Sequence, residues 1–124
     1  MKIRIIAGKL RNLQIKLLNN FIFRPSREKL REAFFSSLHF EIENKSFLDA
    51  FGGSGIFGFE AFSRGANVVN IVEKKYTLYK QIESNAKKLR IDTQIDINNY
   101  DFIDYLKNLD ELKYDYIFLD PPYD

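Results

Sequence analysis

The beginning of the chain carries two short segments with strand-like patterning and then a longer segment with helical spacing. The strand-like segments run from Lys2 to Ala7 and from Leu13 to Leu17, on either side of a glycine-containing stretch at 8–12, which predicts a β-hairpin. A helix is expected after Arg24, because a residue before proline disfavours helical backbone. Leu30, Ala33, Phe34, Ser37 and Leu38 follow at helical spacing. The opposite face is predicted to carry Arg27, Glu28, Arg31 and Glu32.

From Ser46 onward the pattern changes to an alternation of strands and helices. The predicted strands cover 46–50, 67–73, 93–97 and 114–119, and the predicted helices cover 56–64, 75–90 and 101–109. The third strand is short and polar enough to be an edge. This alternation predicts a parallel α/β sheet with helices on both faces. We therefore divide the chain into a basic N-terminal hairpin and helix, residues 1–45, and an α/β part, residues 46–124.

Composition narrows the class of protein. With 124 residues, 45% of them hydrophobic, the chain is expected to form one small packed domain. Charges interrupt every apolar stretch before the roughly 18 residues that a membrane helix needs. The chain has no cysteine, which excludes disulfides and cysteine zinc sites, and its one histidine, His39, cannot form a metal site alone. We predict a cytoplasmic protein without a metal, and a structural role for His39.

The net charge of +2 conceals an uneven distribution. Residues 1–31 hold nine basic side chains and one acidic side chain, whereas the remainder holds ten basic and sixteen acidic ones. A basic arm before a mildly acidic body is typical of a segment that binds a polyanion, because phosphate contacts dominate nucleic-acid affinity. The alternative is an ordinary solvated surface.

A glycine-rich loop follows the first strand of the α/β part. Asp49 comes directly before the loop, and Glu73 ends the next strand. Ligands of such sheets lie at the carboxyl ends of the strands, where these residues fall. Residues 53–58 also fit the G-x-G-x-x-G pattern of dinucleotide-binding proteins. However, Asp49 suits a cationic ligand better than a pyrophosphate, and Asp101 offers a further acceptor for an adenine amine. The acidic surroundings therefore favour S-adenosylmethionine over a dinucleotide.

The chain closes on Asp120, Pro121, Pro122 and Tyr123, just after the last predicted strand. Proline restricts the backbone and leaves carbonyl groups available as acceptors. A carboxylate and such a carbonyl can accept both hydrogens of an exocyclic amine, while an aromatic ring stacks on the base. The same residues could also form a plain strand-ending turn.

Together these segments resemble the RsmD family of bacterial 16S ribosomal RNA guanine-N2 methyltransferases. The blocks that carry the resemblance are 4–8, Arg24-Pro25 with 31–34, 48–55, 60–66 and 120–123. The family usually has alanine where this chain has Gly52. The resemblance implies a Rossmann-like parallel sheet that binds S-adenosylmethionine, with the hairpin and helix as an RNA-facing extension.

The resemblance also implies roles for individual residues. Asp49, Phe51, Gly52, Gly53, Ser54 and Gly55 would hold the methionine part of the cofactor, Glu73 the ribose and Asp101 the adenine amine. Asp120 and the Pro121 carbonyl would orient the guanine amine on the stiff loop that Pro122 continues, and Tyr123 would stack on the base. Arg4, Lys9, Arg11, Arg24, Arg27 and Arg31 are the candidates for phosphate contacts. For Arg31 the alternative is pairing with Glu28 or Glu32 on the helix surface.

The chain departs from the family pattern at its end. A full methyltransferase of this kind has seven strands in the order 3-2-1-4-5-7-6, and this sequence stops after strand four. The expected sheet is therefore incomplete at the C-terminus, and its open fourth strand could promote self-association. Three hypotheses follow: a methyltransferase whose C-terminal part is missing, with weak or no activity; a non-catalytic module that binds S-adenosylmethionine or RNA, or needs a partner chain; and, least favoured, a dinucleotide-binding fold.

Overall fold

The computed structural model describes residues 1–19, 25–109 and 113–121, with side chains of the second range described from Glu28 onward. Ten elements lie in these ranges. They are β1 (Lys2–Arg4), β2 (Gln14–Lys16), α1 (Pro25–Leu38), β3 (Ser46–Asp49), α2 (Ile56–Ser63), β4 (Val68–Val72), α3 (Tyr76–Lys88), β5 (Asp96–Asn98), α4 (Phe102–Lys107) and β6 (Tyr116–Phe118).

Four of the strands form one parallel sheet in the order β5-β4-β3-β6. The sheet has helices on both faces. Gly58 of α2 lies against Ile71 and Val69 of β4, whereas the Asn70 amide, pointing the other way, contacts the hydroxyls of Tyr105 on α4 and Tyr114. Successive side chains of a strand point to opposite faces, so α2 and α4 cover different faces. The predicted α/β class, parallel arrangement and strand order are confirmed.

The two N-terminal strands form the predicted antiparallel hairpin. Ile3 pairs with Ile15 on its buried face, and Lys2 pairs with Lys16 on its exposed face. The Asn85 side chain of α3 donates to the Lys16 carbonyl at 2.8 Å and accepts from the Lys16 amide at 2.9 Å. The hairpin shares one hydrophobic core with the α/β part. The division of the chain into an RNA-facing part, 1–45, and a methyltransferase part, 46–124, therefore stays a prediction.

Aromatic rings connect α1, α2 and β6. The rings of Phe57 and Phe118 stack with centroids 4.0 Å apart, and the Phe34 ring meets both from the side. This contact fixes the last described strand to the first helix of the α/β part.

The predicted face of α1 was wrong in part, since Phe34 of that face does pack against the core. Arg31 and Phe35 are the buried positions, while Leu30 is exposed. Arg31 is 2% exposed, and its Nη2 donates to the Arg4 carbonyl and to Glu28, both at 3.1 Å. The hairpin packs on the side of α1 that carries Arg31. The Arg4 carbonyl of the hairpin needs a hydrogen-bond donor there, which an arginine supplies and a leucine does not. The pairing with Glu28 is therefore confirmed, and burial argues against Arg31 as a surface phosphate contact.

One further expectation was corrected. The third strand of the α/β part is β5, at Asp96–Asn98 rather than 93–97, and it does form an edge. The helical segment before the strand ends at Arg90, which has a left-handed φ of 61°. A turn from Ile91 to Gln94 follows, so the strand begins later than predicted. In α3, Ile82 and Ala86 are buried, whereas Tyr76 is exposed.

In the part of the chain that the structure describes, β6 has a neighbour on one side alone, β3. Ile117 is 37% exposed and Leu119 is 58% exposed along this strand. Among the described helices, none has the length and apolar character to cross a membrane.

Candidate functional site

The carboxyl ends of the four parallel strands bring four acidic residues to one edge of the sheet. Asp49 ends β3, Glu73 follows β4, Asp101 follows β5 and Asp120 follows β6. Asp49 lies beside Ile71 and Phe118 in the register, and the Ala50 amide donates to the Phe118 carbonyl at 3.1 Å. The structure therefore gathers the predicted cofactor residues and Asp120 in one region, which we call the acidic edge.

The glycine loop closes tightly against β4. Gly53 and Gly55 have left-handed φ values of 60° and 84°, and the Gly55 amide donates to the Gly52 carbonyl at 2.7 Å. A Cβ at Gly52 would lie 2.6 Å from Cγ2 of Ile71. This contact gives a physical reason for glycine at position 52. The loop leads directly into α2, with Gly55 at the N-cap.

Asp49 is a buried carboxyl group with an unused oxygen. The residue is 2% exposed, and its Oδ2 has no hydrogen-bond partner in the described ranges. Burial raises the pKa of Asp49 to about 8; the charges of Glu73 and Asp120 add to this rise, while the backbone N–H groups of Gly58 and Phe51 oppose it. An anion in this position gains from a cationic ligand, which would compensate both burial and the neighbouring charges. The site therefore fits the cationic cofactor that the sequence predicted.

Glu73 connects the glycine loop to the start of α3. Its Oε1 accepts from the Gly53 amide at 2.8 Å, and its Oε2 accepts from the Lys75 amide at 2.7 Å. Each carboxylate oxygen has a second lone pair, so both can still accept from ribose hydroxyls.

Asn99 is a residue of the acidic edge that sequence reasoning missed. Its Nδ2 donates to the carbonyls of Glu73 at 3.0 Å and Lys74 at 2.9 Å. The amide therefore fixes the backbone that carries the Glu73 side chain. Its position directly after a strand and two residues before Asp101 could have identified it from the sequence as a residue of this edge.

Asp101 caps a helix, in addition to the contact with the adenine amine that is predicted for it. Its Oδ1 accepts from the amides of Ile103 at 3.0 Å and Asp104 at 3.4 Å, which caps α4. Its Oδ2 lies 4.0 Å from Nζ of Lys74. Capping holds the carboxylate at the edge and leaves this second oxygen facing outward.

The predicted catalytic loop is described in part. Asp120 and Pro121 follow β6 at the acidic edge, and Asp120 is close enough to influence the pKa of Asp49. Pro122 and Tyr123 lie outside the described residues.

Three of the six predicted phosphate contacts come together on the hairpin. Arg4 donates from Nη1 to Oδ1 of Asn12 at 2.8 Å, and Lys9 and Arg11 are exposed on the turn between the strands. Arg31 is buried beneath this surface. Arg24 and the Arg27 side chain lie outside the described residues.

Sequence reasoning also missed the role of Glu60. It is fully buried in α2 and accepts from the amides of Ile6 at 3.0 Å and Ala7 at 3.1 Å, and from Nε of Arg64 at 2.9 Å. The available signal was an acidic residue within the apolar helix Ile56–Ser63. Nη1 of Arg64 lies 3.3 Å from Nδ1 of His39, consistent with the structural role predicted for the histidine.

No metal site is visible in the described part of the chain. Within residues 1–19, 25–109 and 113–121, no three side chains of the types His, Cys, Asp or Glu are grouped so that they could hold a metal ion.

The fold and the acidic edge define a Rossmann-like domain of the methyltransferase class, and comparisons with known proteins support this class. Over 99% of its length the chain superposes with a TM-score of 0.87 on the Escherichia coli protein yhhF, to which a methyltransferase activity has been attributed, at 27% identity and covering 65% of that chain. The Haemophilus influenzae protein HI0767, to which a methylase activity has been attributed, matches with a TM-score of 0.80 and 32% identity over the full chain, covering 66% of that structure.

The family follows from the sequence comparisons. A family model described as "Conserved hypothetical protein 95" matches residues 3–124, and the chain belongs to this family, the RsmD family whose motifs the sequence carries. Ribosomal RNA small subunit methyltransferase D of Haemophilus influenzae is 36% identical to it over 124 residues, which are 98% of this chain and 64% of that relative. The chain thus spans between about half and two thirds of the length of the curated relatives that it matches.

Proposed function

We propose that the chain acts in the S-adenosylmethionine-dependent methylation of the exocyclic N2 amine of a guanine in 16S ribosomal RNA. The observation that carries this proposal is the acidic edge, where the unpartnered oxygen of Asp49 lies beside a glycine loop and the Asp120–Pro121 segment. Family membership supports the same class of reaction.

Six residues of the glycine loop and its approach would hold the methionine part of the cofactor. They are Asp49, Phe51, Gly52, Gly53, Ser54 and Gly55. Glu73 would accept from the ribose hydroxyls, and the outward oxygen of Asp101 would accept from the adenine amine. When bound, S-adenosylmethionine supplies the electrophilic methyl group. The acidic edge favours this cation over a dinucleotide, because carboxylates would repel a pyrophosphate.

The residues after β6 would prepare the amine for attack. The lone pair of an aromatic amine is delocalised into the ring, which makes the amine a weak nucleophile. Asp120 and the Pro121 carbonyl would each accept one of its hydrogens and so direct the lone pair toward the methyl group. Pro122 would keep the loop stiff, and Tyr123 would stack on the base. Most of the rate gain would come from this positioning.

The substrate we propose is 16S ribosomal RNA or an assembling small ribosomal subunit, which places the reaction in the bacterial cytoplasm. The target base would have to leave its stack to reach the acidic edge. Arg4, Lys9 and Arg11 supply exposed positive charge for the RNA backbone.

A second function is favoured by the exposed side of β6. Ile117 on β6 and Leu119 just after it are exposed, and an edge that has no second neighbour among the described strands can accept another strand. The chain would then be a binding module that associates with itself or with a partner chain, and that lacks robust activity alone. Sedimentation over a range of protein concentrations distinguishes a monomer from a self-associating chain.

The test of the proposed function is methyl transfer from labelled S-adenosylmethionine. The purified chain is incubated with unmethylated 16S ribosomal RNA and with small subunits, and the nucleosides are analysed by mass spectrometry. Label in N2-methylguanosine that disappears in Asp120→Asn is the expected result, at a low rate for these 124 residues. Label in another nucleoside, or full activity of the variant, would contradict the proposed chemistry. Tight cofactor binding without any transfer would favour the binding module.

A further inference from the structure

Beyond the basic arm at 1–31, the positive charge of the chain is concentrated on one helix. Residues 32–124 hold ten basic side chains, and six of them fall within 74–90, the segment that contains α3. This segment has a single acidic residue, Glu83, whereas the rest of residues 32–124 carries four basic and fifteen acidic side chains. A positively charged helix therefore lies within an otherwise acidic body. A basic stripe along a helix is typical of a surface that binds a polyanion.

Two tyrosines and two lysines share one side of this helix. Their positions are three, four, seven or eight residues apart, which places them in neighbouring turns on the same side of a helix. We call this side the tyrosine–lysine face, and its members are Tyr76, Tyr79, Lys80 and Lys87. The buried residues of α3 form the side that packs on the protein, and they are Ile82, Asn85 and Ala86.

Glu83 orders the tyrosine–lysine face from its middle. Its Oε2 accepts from the Tyr79 hydroxyl at 3.0 Å, and its Oε1 accepts from Nζ of Lys80 at 3.2 Å. The rings of Tyr76 and Tyr79 lie with their centroids 6.0 Å apart. The outer ring, Tyr76, is 61% exposed. The face thus presents an accessible aromatic ring beside cations, the combination on which proteins bind single-stranded nucleic acid.

The tyrosine–lysine face begins directly beside the acidic edge. Glu73 accepts from the Lys75 amide at 2.7 Å, and α3 starts at the next residue, Tyr76. On the buried side, a Cβ at Gly55 would lie 3.1 Å from Cγ2 of Ile82, so the helix packs closely on the glycine loop. From Tyr76 the face continues for eleven residues to Lys87. At a rise of about 1.5 Å per residue this is about 16 Å, the length of roughly five stacked nucleotides.

The chemistry of the face favours RNA over an acidic protein segment. Carboxylates of a protein could pair with Lys80 and Lys87, but they would leave the exposed ring of Tyr76 without a flat partner. A nucleotide offers a base for the ring and a phosphate for the lysines. The acidic edge itself repels a polyanion, so a substrate RNA gains from cations placed immediately beside that edge.

We propose that the tyrosine–lysine face of α3 is an RNA-binding surface separate from the N-terminal hairpin, where an unpaired base stacks on Tyr76 and Lys80 and Lys87 contact phosphates of the same strand. This inference rests on the proposed function, since it takes RNA as the substrate. The face contributes affinity for a single-stranded segment next to the cofactor site, and it takes no part in the transfer of the methyl group.

Charge removal tests the two lysines. Lys80→Gln and Lys87→Gln are compared with Lys107→Gln, which changes an exposed lysine of α4 on the other face of the sheet. The probe is an unstructured RNA of about twelve nucleotides, and its binding is followed by fluorescence anisotropy at several salt concentrations. Each α3 variant should weaken binding about three- to tenfold and lower the salt slope by about one, with Lys107→Gln changing neither. An equal loss in Lys107→Gln would mean that the RNA responds to net charge alone, which would overturn the surface.

A tryptophan at position 76 tests the stacking directly. The chain has no tryptophan, so Tyr76→Trp and Lys107→Trp each introduce a single indole. The single-stranded probe should quench the emission from position 76 strongly and the emission from position 107 weakly. The same strand paired with its complement should quench little at either position, because its bases are already stacked on one another. Unquenched emission from position 76 while anisotropy shows a complex, or equal quenching by the duplex, would refute the stacking.

Removal of the ring measures its contribution to affinity. Tyr76→Ala should weaken binding of the probe about tenfold, whereas Tyr76→Phe should stay within about twofold, because stacking needs the ring and not the hydroxyl. Cofactor affinity, measured by calorimetry, should stay within about twofold in both variants. Should Tyr76→Ala fail to fold, Tyr76→Leu takes its place, since it keeps an apolar side chain without the ring. Equal losses in the ring-free variant and in Tyr76→Phe would contradict the proposal.

Polyglutamate tests the alternative partner, an acidic protein. At equal charge it should displace the RNA probe poorly and leave the emission of Tyr76→Trp unchanged. Displacement as effective as that by unlabelled RNA would assign the face to an acidic protein and overturn the proposal.

A double variant tests whether the face is separate from the hairpin. Lys80→Gln combined with Arg11→Gln should show the product of the two single losses of affinity, because distant sites without a shared partner act independently. A double variant no weaker than either single variant would contradict a second surface.

Failure of this inference can be told apart from failure of the proposed function. Methyl transfer to another nucleoside would change the proposed chemistry and leave these binding results standing. Binding of the probe that the α3 variants do not alter would overturn the surface alone. A native chain that does not bind the RNA at all would overturn both.

Discussion

Two buried carboxyl groups, Asp49 at the end of β3 and Glu60 within α2, have surroundings that differ in almost every respect. Glu60 has a cation beside it and backbone donors on both oxygens. Asp49 has acidic neighbours and an oxygen without a partner in the described ranges. The pKa of Asp49 is raised to about 8 as a result. The comparison shows that burial alone does not distinguish the two acids, whereas the completeness of their partners does, and it is the acid with incomplete partners to which we assign the cofactor.

The largest expected effect is on stability, in Glu60→Gln. The substituted amide would face the donors of Ala7 and Arg64 and leave the buried guanidinium without its counter-charge. We expect a loss of about 3–5 kcal/mol in the free energy of unfolding, measured by urea denaturation. The matched change Asp49→Asn should not destabilise the protein at pH 7, because the native carboxyl must take up a proton on folding and the amide need not. Similar losses of unfolding free energy in the two variants would contradict the difference that we infer between the surroundings of Glu60 and Asp49.

The second effect is on cofactor affinity, in Asp49→Asn. Replacing the carboxylate should weaken S-adenosylmethionine binding by about 1.5–3 kcal/mol, or roughly 10- to 100-fold, because a hydrogen bond to a charged group is lost. Calorimetry measures this change, and Asp104→Asn, an exposed acid of α4 that faces solvent, serves as the control. Undiminished affinity in Asp49→Asn would show that the unused oxygen does not serve the cofactor.

The third effect is a pH dependence of the free energy of unfolding, which follows from the raised pKa of Asp49. Its pKa in the folded protein is about 8, against about 3.9 for an unfolded Asp, so the folded state binds the extra proton between these values. The contribution of Asp49 to stability is therefore complete below pH 4 and is lost as the pH rises from about 4 to 8, by at most about 1.4 kcal/mol per unit. Cofactor binding should strengthen over the same window as the carboxyl ionises.

Urea denaturation of the native chain and of Asp49→Asn at pH 5, 6.5 and 8 measures this effect. The difference in unfolding free energy between the two proteins should move in favour of the variant as the pH rises. A difference that stays constant with pH would mean that Asp49 titrates normally.

The smallest expected effect is in Asn99→Ala. Without its two hydrogen bonds the backbone at Glu73 and Lys74 gains freedom, and cofactor affinity should fall by about 1 kcal/mol, or roughly fivefold. Calorimetry detects this change, and affinity for RNA should stay constant. A larger loss of RNA affinity than of cofactor affinity would place Asn99 outside the cofactor site.

The sequence predicted the sheet well because strand–helix alternation constrains topology strongly. The hairpin, the parallel order and the acidic edge all follow from periodicity and from the position of acids at strand ends. Helix faces were harder to predict. Arg31 was assigned to the face of α1 opposite Leu30 by helical spacing, but the Arg4 carbonyl provides a partner that makes its burial possible.

Contacts between residues distant in sequence account for most of what was missed. The close approach of Gly8 on the hairpin to the Ser63 backbone joins positions 55 residues apart, and neither residue carries a local signal for it. Asp101 was assigned to the cofactor alone, and its capping of α4 depends on where that helix begins. Glu60 could have been recognised as buried, but its partners in the hairpin could not.

The most direct test of the account is a calorimetric titration of this chain with S-adenosylmethionine and, separately, with NAD. We predict saturable one-to-one binding of S-adenosylmethionine that strengthens from pH 6 to pH 8, and no measurable binding of NAD. Tighter binding of NAD, or binding of S-adenosylmethionine that is indifferent to pH and to Asp49→Asn, would contradict the assignment of the acidic edge as a site for a cationic cofactor.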